Sequence, residues 1–193
     1  MRIDVHFLSI GEIAKNKENI LSSIPKERKE KALRHVKEED VLLSIGGSYL
    51  IEKYTPKGEI LYHEGGKPYK QGSEFSLSHS GSYVIFALSD KPIGIDIEEM
   101  KPRAKNISRI AFREDETIDG DLDFYRRWCI KESIAKCLGN GLSIGLKNLP
   151  SELGLNHYED KEICSAALVH DGYMIAASTV GKEPIEINFV EGE

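Results

Sequence analysis

Apolar and polar positions alternate from Ile3 to Ile10 in a stretch rich in β-forming residues, which predicts an opening strand followed by a turn at Gly11. From Pro25 to about Tyr54 the spacing becomes helical. Pro25 suits a helix start, Leu33, Val36, Leu42, Leu43 and Ile45 supply apolar positions, and Gly46-Gly47 interrupts them, so two helices with a break are expected. The segment TPKGEILYHEGGKPYKQGSEF sets Gly and Pro around a short β-like stretch and reads as turn, strand, loop. In SLSHSGSYVIFALSDKPIGIDIE two alternating runs flank the polar turn Ser89-Asp90-Lys91-Pro92, which predicts a β-hairpin. Asp123 to Leu138 is helical, with Phe124, Trp128, Ala135 and Leu138 on one face, and Gly139 and Gly141 end it.

The segment GYMIAASTVGKEPIEINF echoes that hairpin. Tyr83, Ile85 and Ala87 match Tyr173, Ile175 and Ala177; Pro92, Ile93 and Ile95 match Pro184, Ile185 and Ile187. The pattern suggests an α+β chain of two similar α/β subdomains, 1–98 and 99–193, with a chance match of alternating β sequence as the alternative. Where the first copy has Asp96 and Glu98, the second has Asn188 and Val190.

Asp96 and Glu98 are two apart on a strand and project from one face, where crowded carboxylates call for a cation. Carboxylate oxygens suit a hard ion such as magnesium, whose remaining positions take water and substrate phosphate. A D-x-E pair is also common on a solvent-facing strand, but IGIDIE is otherwise apolar and so belongs in an interior strand beside a cleft. Glu132 stands one turn before Lys136. That spacing is satisfied equally by a helix ion pair and by a carboxylate turned toward the acidic pair.

Composition narrows the functions. The chain has 193 residues, 40% hydrophobic and 30% charged, the balance of a globular protein. Its net charge of -6 supplies no overall positive field for nucleic acid. The run PKERKEKALRHVK is a local basic cluster, read on charge alone as a solvated helix face. Three cysteines, Cys129, Cys137 and Cys164, make neither a disulfide framework nor a zinc motif, and no run is long enough to cross a bilayer, so a cytoplasmic protein is expected.

In order, GGKPY, FSLSHSGSY, IGIDIE and WCIKESIAKCLGNGL resemble the motifs of the 4'-phosphopantetheinyl transferases of the larger, surfactin-synthetase-activator (Sfp) type. The basic run after Pro25 resembles that family's N-terminal helix. The resemblance implies two similar halves related by pseudo-twofold symmetry, with coenzyme A in the cleft between them, and a monomer is sufficient for such a cleft. It implies that Asp96, Glu98 and Glu132 hold Mg2+, that Glu132 or a water it orients takes the proton of the acceptor serine on an apo acyl or peptidyl carrier protein, and that Lys136 neutralises the leaving phosphate. It assigns the coenzyme A 3'-phosphate to His79 and Ser78 with Arg28 and Lys31, and flanks the adenine with Lys67 and Pro68. The family's arginine late in the second N-terminal helix is missing; SIGGSYLIEKY offers Ser48 or small neighbours instead. The chain is also short for this type.

Overall fold

The computed structural model describes residues 1–102, 111–139 and 144–190. Strand β1 (Arg2–Ser9) passes directly into helix α1 (Ile10–Lys15). Ser9 and Glu12 form a capping box: the Glu12 amide donates to Ser9 Oγ at 3.2 Å, and the Ser9 amide to Glu12 Oε2 at 2.8 Å. Gly11 therefore lies in a first helical turn, not in the expected chain reversal. Helix α2 (Lys17–Ser23) follows; neither it nor α1 was legible in the spacing, since each is short and buries a single residue, Ile13 or Ile20.

Two further helices, α3 (Lys26–Ala32) and α4 (Glu38–Tyr54), confirm the expected pair but not its break. The chain breaks at residues 33–37, and Gly46-Gly47 is buried inside α4. Gly46 serves close packing. A Cβ on Gly46 would press into the side chains of Ile13 and Val84, so α1, α4 and the sheet beneath approach only because none is there. Leu33 and Val36, expected among the apolar contacts, are 60% and 101% exposed in the break.

Six strands make one sheet in the order β10-β1-β5-β4-β3-β2, with β2 (Leu61–Tyr62), β3 (Pro68–Lys70), β4 (Ser73–Ser80), β5 (Tyr83–Ser89) and β10 (Glu186–Val190). Four make the other, in the order β6-β9-β8-β7, with β6 (Ile93–Glu99), β7 (Gly154–Tyr158), β8 (Lys161–His170) and β9 (Tyr173–Val180). The expected hairpin between β5 and β6 does not form. β5 pairs back with β4 from Glu74↔Ser89 to Ser80↔Tyr83, whereas β6 joins the second sheet and pairs antiparallel with β9. Alternation marks strands but carries no information on partners. β10 makes the reciprocal crossing and pairs in parallel with β1 in the first sheet.

This exchange explains the repeat. Ile85, Ala87, Ile93, Ile95, Tyr173, Ile175 and Ala177 are buried in one apolar cluster, with Tyr83, Ile185 and Ile187 packed against it. The matched positions other than Pro92 and Pro184, which are exposed, are those with which both copies fill a single shared core. Helices α1, α2 and α4 cover a second cluster against the first sheet. Helix α5 (Gly120–Leu138) covers a third against the second sheet, burying Phe124 and Ala135 with Trp128 and Leu138 beside them, as the spacing predicted. Gly139 ends α5 in a left-handed conformation, φ 78°; Gly141 lies outside the described residues. No described helix is long and apolar enough to cross a membrane.

Candidate active site

The pleat of β6 sorts its side chains. Ile93, Ile95 and Ile97 enter the shared core, while Gly94, Asp96 and Glu98 face α5. Gly94 meets the Ser133 carbonyl and the Cys137 amide, Asp96 meets Lys136, and Glu98 meets Trp128. The helix thus runs antiparallel over the strand. A Cβ at Gly94 would collide with the helix backbone, so this glycine sets how closely the two acids approach α5.

Asp96 is buried, with 3% exposure. Its Oδ1 accepts from Lys136 Nζ at 2.7 Å and from Ser78 Oγ at 2.8 Å, and Lys136 Nζ also donates to Ser78 Oγ at 2.8 Å. Its Oδ2 is buried without a hydrogen-bond partner. Lys136 therefore reaches across to the strand: its ion pair is with Asp96, and no Glu132–Lys136 pair forms among the described residues. Glu98 Oε2 accepts from Ser80 Oγ at 3.1 Å and Oε1 from Trp128 Nε1 at 3.2 Å.

Burial favours the protonated forms of Glu98 and Glu132. Burial, and then the charge of Asp96, raise Glu98 above the usual carboxylate range, against the pull of the Ser80 and Trp128 donors. Glu132 is pushed up to about 7, chiefly by burial and then by Asp96, with Lys136 opposing. Burial, and then the charge of Lys136, lower His79 and favour its neutral ring. Among the described residues, no group of three or more His, Cys, Asp or Glu side chains is arranged as a formed metal site.

Two hollows flank β4. A cavity of about 950 Å³ lies between α3, α4 and β4, lined among others by Arg28, Lys31, His35, Ser48 and His79. There Arg28 Nη1 donates to Ser48 Oγ at 3.4 Å. A smaller hollow of about 240 Å³ is lined by Lys67, Pro68, Phe75, Leu77, Lys136 and Gly139. Leu77 borders both. The binding residues singled out in the sequence thus fall into two sets, Arg28, Lys31 and His79 on one side of β4 and Lys67, Pro68 and Lys136 on the other, with Ser78 joined to Asp96 between them. Lys67 is largely committed within the protein: its nearly buried amine donates to the Ile93 carbonyl at 2.9 Å and pairs with Glu74 Oε2 at 3.2 Å. The sequence did not mark Glu74, which pairs with Lys67 and His63 across the β3–β4 edge, or Ser80, whose partner Glu98 is 18 positions away. It marked Trp128 only as an apolar residue.

A sequence profile of the 4'-phosphopantetheinyl transferase superfamily matches residues 92–173, which span β6, α5 and β7 to the start of β9. The chain is 33% identical over 165 residues to a 4'-phosphopantetheinyl transferase of Bacillus subtilis, covering 76% of this chain and 72% of that protein. It is 33% identical to a 4'-phosphopantetheinyl transferase of Aneurinibacillus migulanus, again over 165 residues, with coverage of 76% and 70%. The human L-aminoadipate-semialdehyde dehydrogenase-phosphopantetheinyl transferase is 31% identical over 129 residues, 58% of this chain and 41% of its own. With the strand of the acidic pair and the helix of Glu132 and Lys136 both inside the matched segment, the chain belongs to the 4'-phosphopantetheinyl transferase family.

Proposed function

We propose that this enzyme transfers the 4'-phosphopantetheine arm of coenzyme A to a serine of an apo acyl or peptidyl carrier protein and releases adenosine 3',5'-bisphosphate. The observation that carries this reading is the convergence of Asp96, Glu98, Glu132 and Lys136 from β6 and α5 in a chain of this family. The residues suit a hard divalent cation: Asp96 Oδ2 is buried and unpartnered, and the carboxylates of Glu98 and Glu132 are destabilised by burial and by Asp96. Held by Asp96, Glu98 and Glu132, Mg2+ would neutralise negative charge on the pyrophosphate of coenzyme A.

The serine oxygen forms a bond to the phosphorus on the pantetheine side of the pyrophosphate, the bond from that phosphorus to the bridging oxygen breaks, and the bisphosphate carries the electron pair away. Glu132 receives the serine proton directly or through a water it orients. Lys136 brings its ammonium against the leaving phosphate, a charge held in place before the reaction by Ser78 and Asp96. Arg28, Lys31 and His79 take the 3'-phosphate in the larger cavity, where Ser48 or its small neighbours stand in place of the family's arginine, and Lys67 and Pro68 border the adenine. The two halves 1–98 and 99–193 would bound one cleft in a cytoplasmic monomer.

The pure protein, coenzyme A, magnesium and a panel of apo carrier proteins, mixed and read by intact mass, test this. Addition of one phosphopantetheine to a carrier is expected. Coenzyme A binding with no addition to any carrier would leave only a binding module, and coenzyme A cleavage without an acceptor would make the protein a hydrolase.

A further inference from the structure

Strands β4 and β6 belong to different sheets, yet hydroxyl groups join them along their length. Ser76 Oγ accepts the Ile95 amide at 3.0 Å and Ser78 Oγ donates to Asp96 Oδ1 at 2.8 Å. Ser80 Oγ donates to Glu98 Oε2 at 3.1 Å and accepts the Glu99 amide at 3.0 Å. Serines two apart on a strand share a face, so these three form one row along β6 and deliver a hydroxyl to each acid. The two acids are nevertheless held differently. Asp96 is bound by a cation, Lys136, whereas Glu98 has one neutral donor on each oxygen, Ser80 on Oε2 and Trp128 on Oε1.

That difference has a chemical consequence. Neutral donors fix a carboxylate's orientation without cancelling its charge, and each oxygen keeps a lone pair free. Outer partners of this kind orient metal ligands and typically change metal affinity 10- to 100-fold when removed.

We infer that Ser80 and Trp128 are positioning residues that hold the Glu98 carboxylate in the single orientation it needs to share a divalent cation with Asp96. The inference rests on the cation assignment made above. A purely structural Ser80 would fasten Glu99 alone, and a purely structural Trp128 would pack on Phe124, 5.8 Å away ring to ring.

Trp128 is the only tryptophan of the chain, so its emission reports the Glu98 contact directly. Emission is followed while the full chain, with coenzyme A present and no carrier protein, is titrated with magnesium. The wild type is expected to give a saturable change, Ser80→Ala to need at least about 10-fold more magnesium, and Ser80→Thr, which restores the hydroxyl, to recover wild-type behaviour. Trp128→Phe keeps a ring on Phe124 and loses only the donor; its magnesium affinity by calorimetry is expected to fall by a similar factor. Ser80→Ala titrating like the wild type, or wild-type emission indifferent to magnesium, overturns the inference. Because no carrier is present, a normal titration by a protein that modifies no carrier sinks the transfer reading and leaves this one standing.

Discussion

Glu132 is where the candidate site costs the fold something. Its carboxyl has a folded value of about 7 against an ordinary 4.5, so the folded chain holds this proton more tightly than the unfolded one. The sign follows: as pH rises from about 4.5 to 7 the group withdraws stability from the wild type, and above 7 the whole deficit is present. The full shift corresponds to roughly 3 kcal/mol; Glu132 is only half-buried, and solvent screening reduces this to on the order of 1 kcal/mol. Glu132→Gln should therefore melt higher than the wild type at pH 8 in chelator, with the difference gone at pH 4, while carrier modification falls at least about 100-fold. A variant with wild-type turnover would remove Glu132 from the chemistry. Equal melting temperatures at pH 8 would show that its carboxylate is not destabilised. The spacing from Glu132 to Lys136 left a helix ion pair as an equal reading; the fold rejects it because Asp96 lies within reach of Lys136 across the helix–strand contact.

At the scale of elements, the informative contact is that of α5 on β6. A methyl group at Gly94 meets backbone at Ser133 and Cys137 rather than the tip of a flexible side chain, so the helix itself must move. Gly94→Ala is expected to destabilise the protein by about 3 kcal/mol in urea unfolding, and whatever folds should bind coenzyme A more weakly, because Lys136 moves with the helix. An unchanged unfolding midpoint would mean that the helix gives way cheaply. Nothing in IGIDIE distinguished this glycine from an ordinary strand residue. The helix face of Phe124, Trp128, Ala135 and Leu138 was legible because helical spacing is local. The breaks in the N-terminal helices were not: Gly46 and Gly47 look like helix breakers in sequence but lie inside α4, where Gly46 is a spacer required by Ile13 and Val84 from elsewhere.

Across the whole molecule, each sheet takes a strand from beyond the proposed boundary at 98/99: β6, residues 93–99, completes the second sheet, and β10 the first. Neither sheet is complete without the other part of the chain, so the protein should unfold as one unit. Trp128 emission, which reports α5, and far-UV circular dichroism, which reports both sheets, are expected to give coincident urea transitions; two separated transitions would mean that the parts are independent. Local patterning was enough to mark strands β1, β5, β6, β9 and β10 and the long helix, the repeated apolar positions of the shared core, and the Asp96–Glu98 spacing that puts both acids on one face of β6. These follow from periodicities of two and 3.6 residues, which are local properties of the chain. That β6 abandons β5 for β9, that Lys136 reaches Asp96, and that Ser80 and Trp128 take the two oxygens of Glu98 emerge only from the folded chain. Those choices depend on groups 18 to 40 positions apart in the chain for the side-chain contacts and farther for the strand pairing, and on how closely a glycine lets a helix approach a strand.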